Sequence, residues 1–135
     1  MASGIYNRFK EALYRKWIDL TADSIRVMLL NNSHSFLGTD LNTGNINANE
    51  ASGTGYTAGG QFLHGLSVSS GPYAAFDAND LTWASSTVGA YHAVIYDASL
   101  AGNQLVGSID FGSLKSSSSG SFTIQWHASG IITLI

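Results

Sequence analysis

The sequence predicts an all-β protein: an antiparallel, jelly-roll-like sandwich of about eight strands with one N-terminal amphipathic helix. Three observations support this prediction. Short apolar runs alternate with polar positions, as in strands that bury one face. Clusters of Gly, Ser, Asn and Asp separate these runs, and no helical period recurs beyond residue 17. The chain has 135 residues, the length of a single domain, so one core over 1–135 is expected.

The N-terminal segment has the pattern of an amphipathic helix, which we predict over residues 3–17. Apolar side chains recur every four residues and form one stripe: Ile5, Phe9, Leu13 and Trp17. Ser3 is a suitable N-cap. Two roles fit such a helix. Either it lies on the sheet and covers one end of the core, or its basic face docks on an acidic partner through Arg8, Arg15 and Lys16.

The remaining strands are predicted from apolar runs within 18–135. Residues 24–31 are almost continuously apolar, which indicates a central strand that is covered on both faces. The other predicted strands lie at 61–69, 73–76, 81–83 and 87–97, and in three runs within 105–135. The run 87–97 is the longest. Strict alternation along it places five side chains on one face: Val88, Ala90, His92, Val94 and Tyr96.

A long loop is predicted over residues 31–60, which are dominated by Asn, Gly, Thr and Ser without any sustained period. Loops of this length are usually functional or ordered by a partner, so we expect partner contacts here. Tyr56 is the candidate anchor, because aromatic side chains often carry the binding energy of an interface. The alternative is that its ring folds back on the core. Residues 52–60 are not a phosphate loop, because no Gly-Lys-Ser/Thr sequence ends them.

Composition and charge argue against several functional classes. The net charge is −3 and only 11% of residues are charged, so the surface is polar and nearly neutral, which argues against a nucleic-acid binder. Five of the six basic residues lie within the first 26 positions, and Lys115 is the sixth. The chain has no cysteine, so disulfides and thiolate chemistry are excluded. No run approaches the roughly 20 apolar residues of a membrane-spanning helix, so no membrane association is expected.

No catalytic or metal-binding motif is found, so we expect no enzyme activity and no cofactor. The histidines are scattered, without HxH or HExxH spacing: His34, His64, His92 and His127. The serines lack a nucleophile elbow. Asp77, Asn79 and Asp80 could form a calcium corner with Asp97, but calcium takes about six to eight oxygens, and a local Asx turn explains the 77–80 linker better. A pair of glycosidase carboxylates stays open, since separation in space is not visible in a sequence.

Several segments, taken in order, indicate a family: IYNRFKEAL at 5–13, EASGTGYTAGG at 50–60, FDANDLTW at 76–83, YHAVIYD at 91–97 and IDFGSLKSSSSGSFTIQWHASGIITL at 109–134. With them the chain resembles small virion structural proteins of tailed bacteriophages and is similar to capsid decoration, or cement, proteins. The resemblance spans nearly the whole chain. It implies a small β-sandwich that attaches outside the major capsid protein and bridges neighbouring capsomers as a dimer or trimer. It implies no catalytic residues.

The expected function is therefore that of a virion structural protein on the outer capsid surface, made in the host cytoplasm. Its expected partners are the major capsid protein and further copies of itself, with no nucleic acid and no membrane. One alternative is a head-fibre or tail-associated receptor protein with glycan affinity, for which Trp17, Trp83 and Trp126 are the candidate platforms, although each also suits the core. Another is a tail-tube or baseplate subunit, which would form rings.

Overall fold

The computed structural model describes residues 3–134 and is mainly β, with antiparallel sheets, sandwich-like packing and one helix near the N-terminus. The predicted fold class is confirmed. In chain order the elements are β1 (Gly4–Ile5), α1 (Asn7–Arg15), β2 (Ile25–Leu30), β3 (Gly53–Thr54), β4 (Gln61–Phe62), β5 (Ser67–Ser70), β6 (Ala74–Asp77), β7 (Leu81–Asp97), β8 (Gln104–Ser116), β9 (Gly120–Ile124) and β10 (Ile132–Leu134). The strand count exceeds the expected one because β1, β3 and β4 have two residues each, too few for any visible alternation.

The centre of the larger sheet is β7, a strand of 17 residues. The sheet order is β1-β8-β7-β2-β4, and β3 and β9 also pair with β7. The sequence predicted two separate strands, 81–83 and 87–97, and this is wrong. The strand continues through the intervening polar residues because Ser85 takes a positive φ of 49° beside a shift in register between Trp83 and Ser86. Such an irregularity lets one strand bend and serve two partners, β9 and then β8.

A smaller sheet, in the order β10-β6-β5, packs on one face of the larger one. Val68, Phe76 and Ile132 stand opposite one another in register and therefore share its inner face. Phe76 and Ile132 join Val27 and Ile95 of the larger sheet in the main hydrophobic core. The predicted run 61–69 is in fact divided into β4 and β5, because Gly65 turns the chain with a φ of +66°.

The long loop covers the opposite face of the larger sheet. Met28, Val94 and Tyr96 form a second buried cluster, which Ile46 and Phe36 of the loop cover. The loop has its own short structure, since 3-10 turns at Thr43–Asn45 and Asn47–Asn49 follow an Asn42 cap. Because β2 is thus buried on both faces, its predicted position as a covered, central strand is confirmed.

The helix is shorter than predicted, covering Asn7–Arg15 instead of 3–17. It starts late because Gly4 and Ile5 pair with β8, and the Ser3 hydroxyl accepts the backbone N–H of Asp110 instead of capping the helix. It ends at Arg15 because the next residue, Lys16, takes a left-handed conformation with a φ of 60°. The backbone N–H of Trp17 then donates to the carbonyl of Ala12 and closes the last turn.

The predicted faces of strand 87–97 are also corrected. Register is irregular between Ala90 and His92, where β8 contributes four unpaired residues, 111–114, against one. This irregularity reverses the alternation. Val88 and Ala90 consequently face the main core, whereas Val94 faces the second cluster. Strict alternation had placed all three side chains on one face.

Candidate partner-binding surface

The outer side of α1 brings two of the predicted docking residues together around one aromatic ring. The guanidinium carbons of Arg8 and Arg15 lie 5.9 and 5.2 Å from the centre of the Trp17 indole. The two arginines stand on the same side of α1 because they are two helical turns apart. Trp17 is 42% exposed. Arg and Trp are enriched at the energetic centres of interfaces, so these three side chains form a suitable docking element.

This part of the chain is strongly basic. Glu11 accepts a hydrogen bond from Arg15 Nε at 2.9 Å and lies 3.6 Å from Arg8. These exposed ion pairs contribute at most about 1 kcal/mol each. Lys10 and Lys16 are exposed and add two further positive charges. With Arg8 and Arg15 they make four cations against the single carboxylate of Glu11.

The acids that follow the helix are engaged within their own turn. Asp19 accepts hydrogen bonds from the Thr21 hydroxyl and backbone N–H, and these bonds lower the pKa of Asp19. Asp23 accepts the backbone N–H of Asp19 at 3.1 Å. These hydrogen bonds hold the two carboxylates in the turn after the helix, where their negative charges oppose part of the positive charge of α1.

An open apolar groove, here called the helix groove, lies between α1 and the inner face of the β5-β6-β10 sheet. Its volume is about 500 Å³. Three apolar side chains at its rim, Leu13, Val68 and Leu134, are 37%, 55% and 56% exposed. Val68 belongs to the sheet face that elsewhere contacts the main core, so the sandwich is left open at this end. Lys16 also lines the groove and joins it to the basic side of α1.

The structure places Tyr56 within the fold and away from the contacts that define the basic side of α1. Its hydroxyl donates to Glu50 at 2.6 Å and accepts the backbone N–H of Leu29 at 3.0 Å. Its ring lies 5.8 Å from that of Trp83, and Glu50 also accepts the N–H of Gly59. Burial and the bond to Glu50 raise the pKa of Tyr56. These contacts hold residues 50–60 on the sheet, and the part of Tyr56 in partner binding stays a prediction.

Two of the histidines form a buried pair. The rings of His34 and His92 are 4.9 Å apart, His34 Nε2 is 3.0 Å from the Ser108 hydroxyl, and His92 Nδ1 is 3.9 Å from Asp110. Burial, followed by the neighbouring His92, lowers the pKa of His34 to about 4. Burial also lowers the pKa of His92, and Asp110 opposes that shift. The pair is therefore neutral at pH 7, which suits a structural role. His64 and His127 are exposed.

The aspartates considered for calcium accept backbone hydrogen bonds, local for Asp77 and Asp97 and long-range for Asp80, whose expected local turn is therefore not formed. The Asp77 carboxylate accepts the next backbone N–H, and Asp80 accepts the backbone N–H of Trp126. Asp97 accepts the N–H of Ser99. Among residues 3–134 no group of three or more His, Cys, Asp or Glu side chains is arranged to hold a metal ion. Of the candidate glycan platforms, Trp83 is buried in the core and Trp126 is half-buried.

Sequence reasoning missed the helix groove. Its walls come from α1, from the turn after α1 and from all three strands of the smaller sheet, which are distant from the helix in the chain. No local pattern connects these segments. Leu13 continues the apolar stripe of Phe9 but is partly exposed, which marks the opening of the groove.

Comparison with known proteins found no matching family model, no matching curated protein and no matching solved structure. Within the described part of the chain, no helix has the length and apolar character needed to cross a membrane. The surface chemistry described above is therefore the basis for proposing a function.

Proposed function

We propose that this chain is a bacteriophage virion structural protein, a capsid decoration protein that binds the outer capsid surface and bridges major capsid proteins. The observation that carries the proposal is the continuity of the basic side of α1 with the helix groove, through Lys16. A partner with an acidic surface and a protruding apolar side chain fits both features at once. The resemblance to tailed-phage virion proteins agrees with such a partner.

Attachment in this proposal depends on multivalency. Copies of the chain associate through a symmetric interface, and each oligomer then contacts two or more capsid subunits. A single weak docking event becomes strong attachment because the second event is intramolecular. The basic region of α1 is the main source of long-range attraction to an acidic lattice, because the chain beyond residue 26 has six acidic residues and one basic residue.

The test is co-sedimentation of labelled protein with separated heads and tails of the encoding phage, after removal of the native copies. Saturable binding to heads, at a copy number that matches capsid symmetry, is expected. Binding only to tails, or to host surface glycans with neither particle bound, would reject decoration and favour the receptor alternative. Size exclusion with light scattering should give a dimer or trimer, whereas large rings would favour a tail-tube or baseplate subunit.

Variants of α1 connect binding to the proposed surface. R15Q/K16Q should weaken head binding at least tenfold and reduce its dependence on salt, because two cations at the interface are removed, a change of −2 in net charge. The matched control S113E/S118E changes two exposed β8-side residues and leaves α1 intact. It should bind heads like the wild type. Equal loss in both variants would show a general charge effect and would contradict docking through α1.

A further inference from the structure

A second apolar cavity, here called the C-terminal cleft, lies between β8 and the segment that follows β9. Its volume is about 620 Å³, which is within the range of about 300–1,000 Å³ that is typical of small-molecule sites. Phe122 and Ile124 of β9 belong to the main core and also line the cleft. Ile109 and Phe111 contribute from β8, and the ring of Phe111 lies 6.4 Å from that of Phe122. The cleft is therefore a place where the main core opens to solvent.

The wall opposite β8 is held in place by hydrogen bonds. Trp126 donates its backbone N–H to Asp80 and its indole N–H to the Asn79 carbonyl, each at 3.0 Å. Both nitrogens of this half-buried residue are thus satisfied within the fold. What the indole offers the cleft is a fixed apolar surface, which favours binding because little side-chain entropy remains to be lost.

Every polar side chain around the cleft can donate a hydrogen bond, and its hydroxyls and amide can also accept one. Lys115 lines the cleft and is the only Lys or Arg beyond residue 26. It is exposed and forms no ion pair with any residue in 3–134. His127 also lines the cleft, and its Nδ1 accepts the N–H of Ser129, so in the neutral ring Nε2 carries the proton. Gln125 adds an amide, and the lining contains no Asp or Glu.

We propose that the C-terminal cleft binds an amphiphile that carries a single carboxylate on an apolar body. The apolar body lies against Trp126, Phe111 and the floor of the cleft, and the carboxylate binds Lys115. The assignment follows from the charge pattern, because Lys115, the only Lys or Arg beyond residue 26, lies at the edge of an apolar cavity whose lining contains no Asp or Glu. This site is separate from the proposed capsid contact and does not depend on it.

The test uses decanoate and decyltrimethylammonium as probes of equal apolar length and opposite charge, both below the concentration at which they form micelles. Binding is followed by isothermal titration calorimetry and mapped by amide chemical shifts of the 15N-labelled full chain. Decanoate should bind saturably and at least tenfold more tightly than the cation, and shifts should concentrate in 109–115 and 121–131. Equal affinities, no binding, or shifts confined to the helix groove would overturn the proposal.

The K115E variant separates charge recognition from burial of the apolar chain. It should weaken decanoate binding at least tenfold and strengthen binding of the cation, whereas K115Q should weaken decanoate less. The control N32E/S33E makes the same change in net charge at two exposed positions in the long loop and should leave decanoate affinity unchanged. If K115E binds decanoate like the wild type, the cleft does not recognise the carboxylate and the proposal fails.

Discussion

Replacing Asp97 with Asn should stabilise the protein more at pH 8 than at pH 5. Asp97 ends β7 and is fully buried. One of its carboxylate oxygens accepts the N–H of Ser99 at 2.8 Å, and the other finds no hydrogen-bond donor among the described residues. The carboxyl of Asp23 interacts with it instead. Burial, followed by the proximity of Asp23, raises the pKa of Asp97 from 3.8 to about 7.

The magnitude follows from linkage between proton binding and folding. The folded state retains a proton on Asp97 that the unfolded chain releases above pH 3.8, so this group destabilises the fold progressively as the pH rises from 3.8 to about 7. One pKa unit corresponds to about 1.4 kcal/mol, so the free energy of unfolding should lose about 3 kcal/mol between pH 5 and pH 8 from this group. Asn is neutral at both pH values and its amide oxygen can still accept the N–H of Ser99, so D97N should not show this loss.

Urea unfolding of wild type and D97N at both pH values measures the effect. The informative quantity is the difference in unfolding free energy between the two proteins, because titrating groups other than the neighbouring Asp23 contribute equally to both. This difference should be larger at pH 8 by about 3 kcal/mol. D23N is the matched control and should recover part of the gain, since it removes the neighbouring charge but leaves Asp97 buried. A difference that is the same at pH 5 and pH 8 would refute the reasoning.

Three further predictions concern the buried polar groups and the close backbone contacts. Burial lowers the pKa of His34 from 6.5 to about 4, so the fold should lose about 3 kcal/mol of unfolding free energy as the pH falls through this interval. Urea unfolding of D97N, which lacks the opposing effect of Asp97, measures this loss, and an unfolding free energy that does not change with pH would contradict it. Y56F should cost about 1–3 kcal/mol, because Glu50 and a backbone N–H of β2 lose a partner, and an unchanged melting temperature would refute this. G60A should cost at least about 2 kcal/mol, because Gly60 has a φ of +83° and an added Cβ would lie 1.7 Å from a β2 carbonyl oxygen. The control G71A meets no atom within 4 Å and should melt within a few degrees of the wild type.

Alternation of apolar and polar residues predicted side-chain orientation correctly only where the strand pairs with its neighbours in a regular register. Residues 24–31 were assigned almost correctly because the run is apolar on both faces, so the prediction did not depend on which residues point to which face. In 87–97 alternation failed at Tyr91, where four residues of β8 stand opposite one of β7. Such an irregularity depends on the partner strand, which lies more than a dozen residues away in the chain. The single-strand pattern therefore contains no sign of it.

The candidate site was predictable where it depends on one helix. Arg8 and Arg15 are two turns apart, so a helical interpretation alone places them on one side, and Trp17 completes the cluster because the chain turns sharply at Lys16. The two apolar cavities were not predictable. The helix groove is bounded by segments that meet only after the two sheets have packed, such as those of Leu13 and Val68. The C-terminal cleft forms only when β8 and β9 both pair with β7.

The covering role of the long loop, residues 31–60, follows from two features of the sequence: an apolar β2 and a long segment without strands. The apolar character of β2 on both faces required a cover on each side of the larger sheet, and the smaller sheet supplies only one. Residues 31–60 were the remaining long segment, yet their composition suggested partner contacts instead of a covering layer. Ile46 and Phe36 show how few apolar residues a covering loop needs when Asn side chains satisfy its own backbone. Among the loop residues, the exposed apolar side chains are Leu37 and Leu41, at 57% and 44%, so the predicted partner contacts of this loop are best tested there.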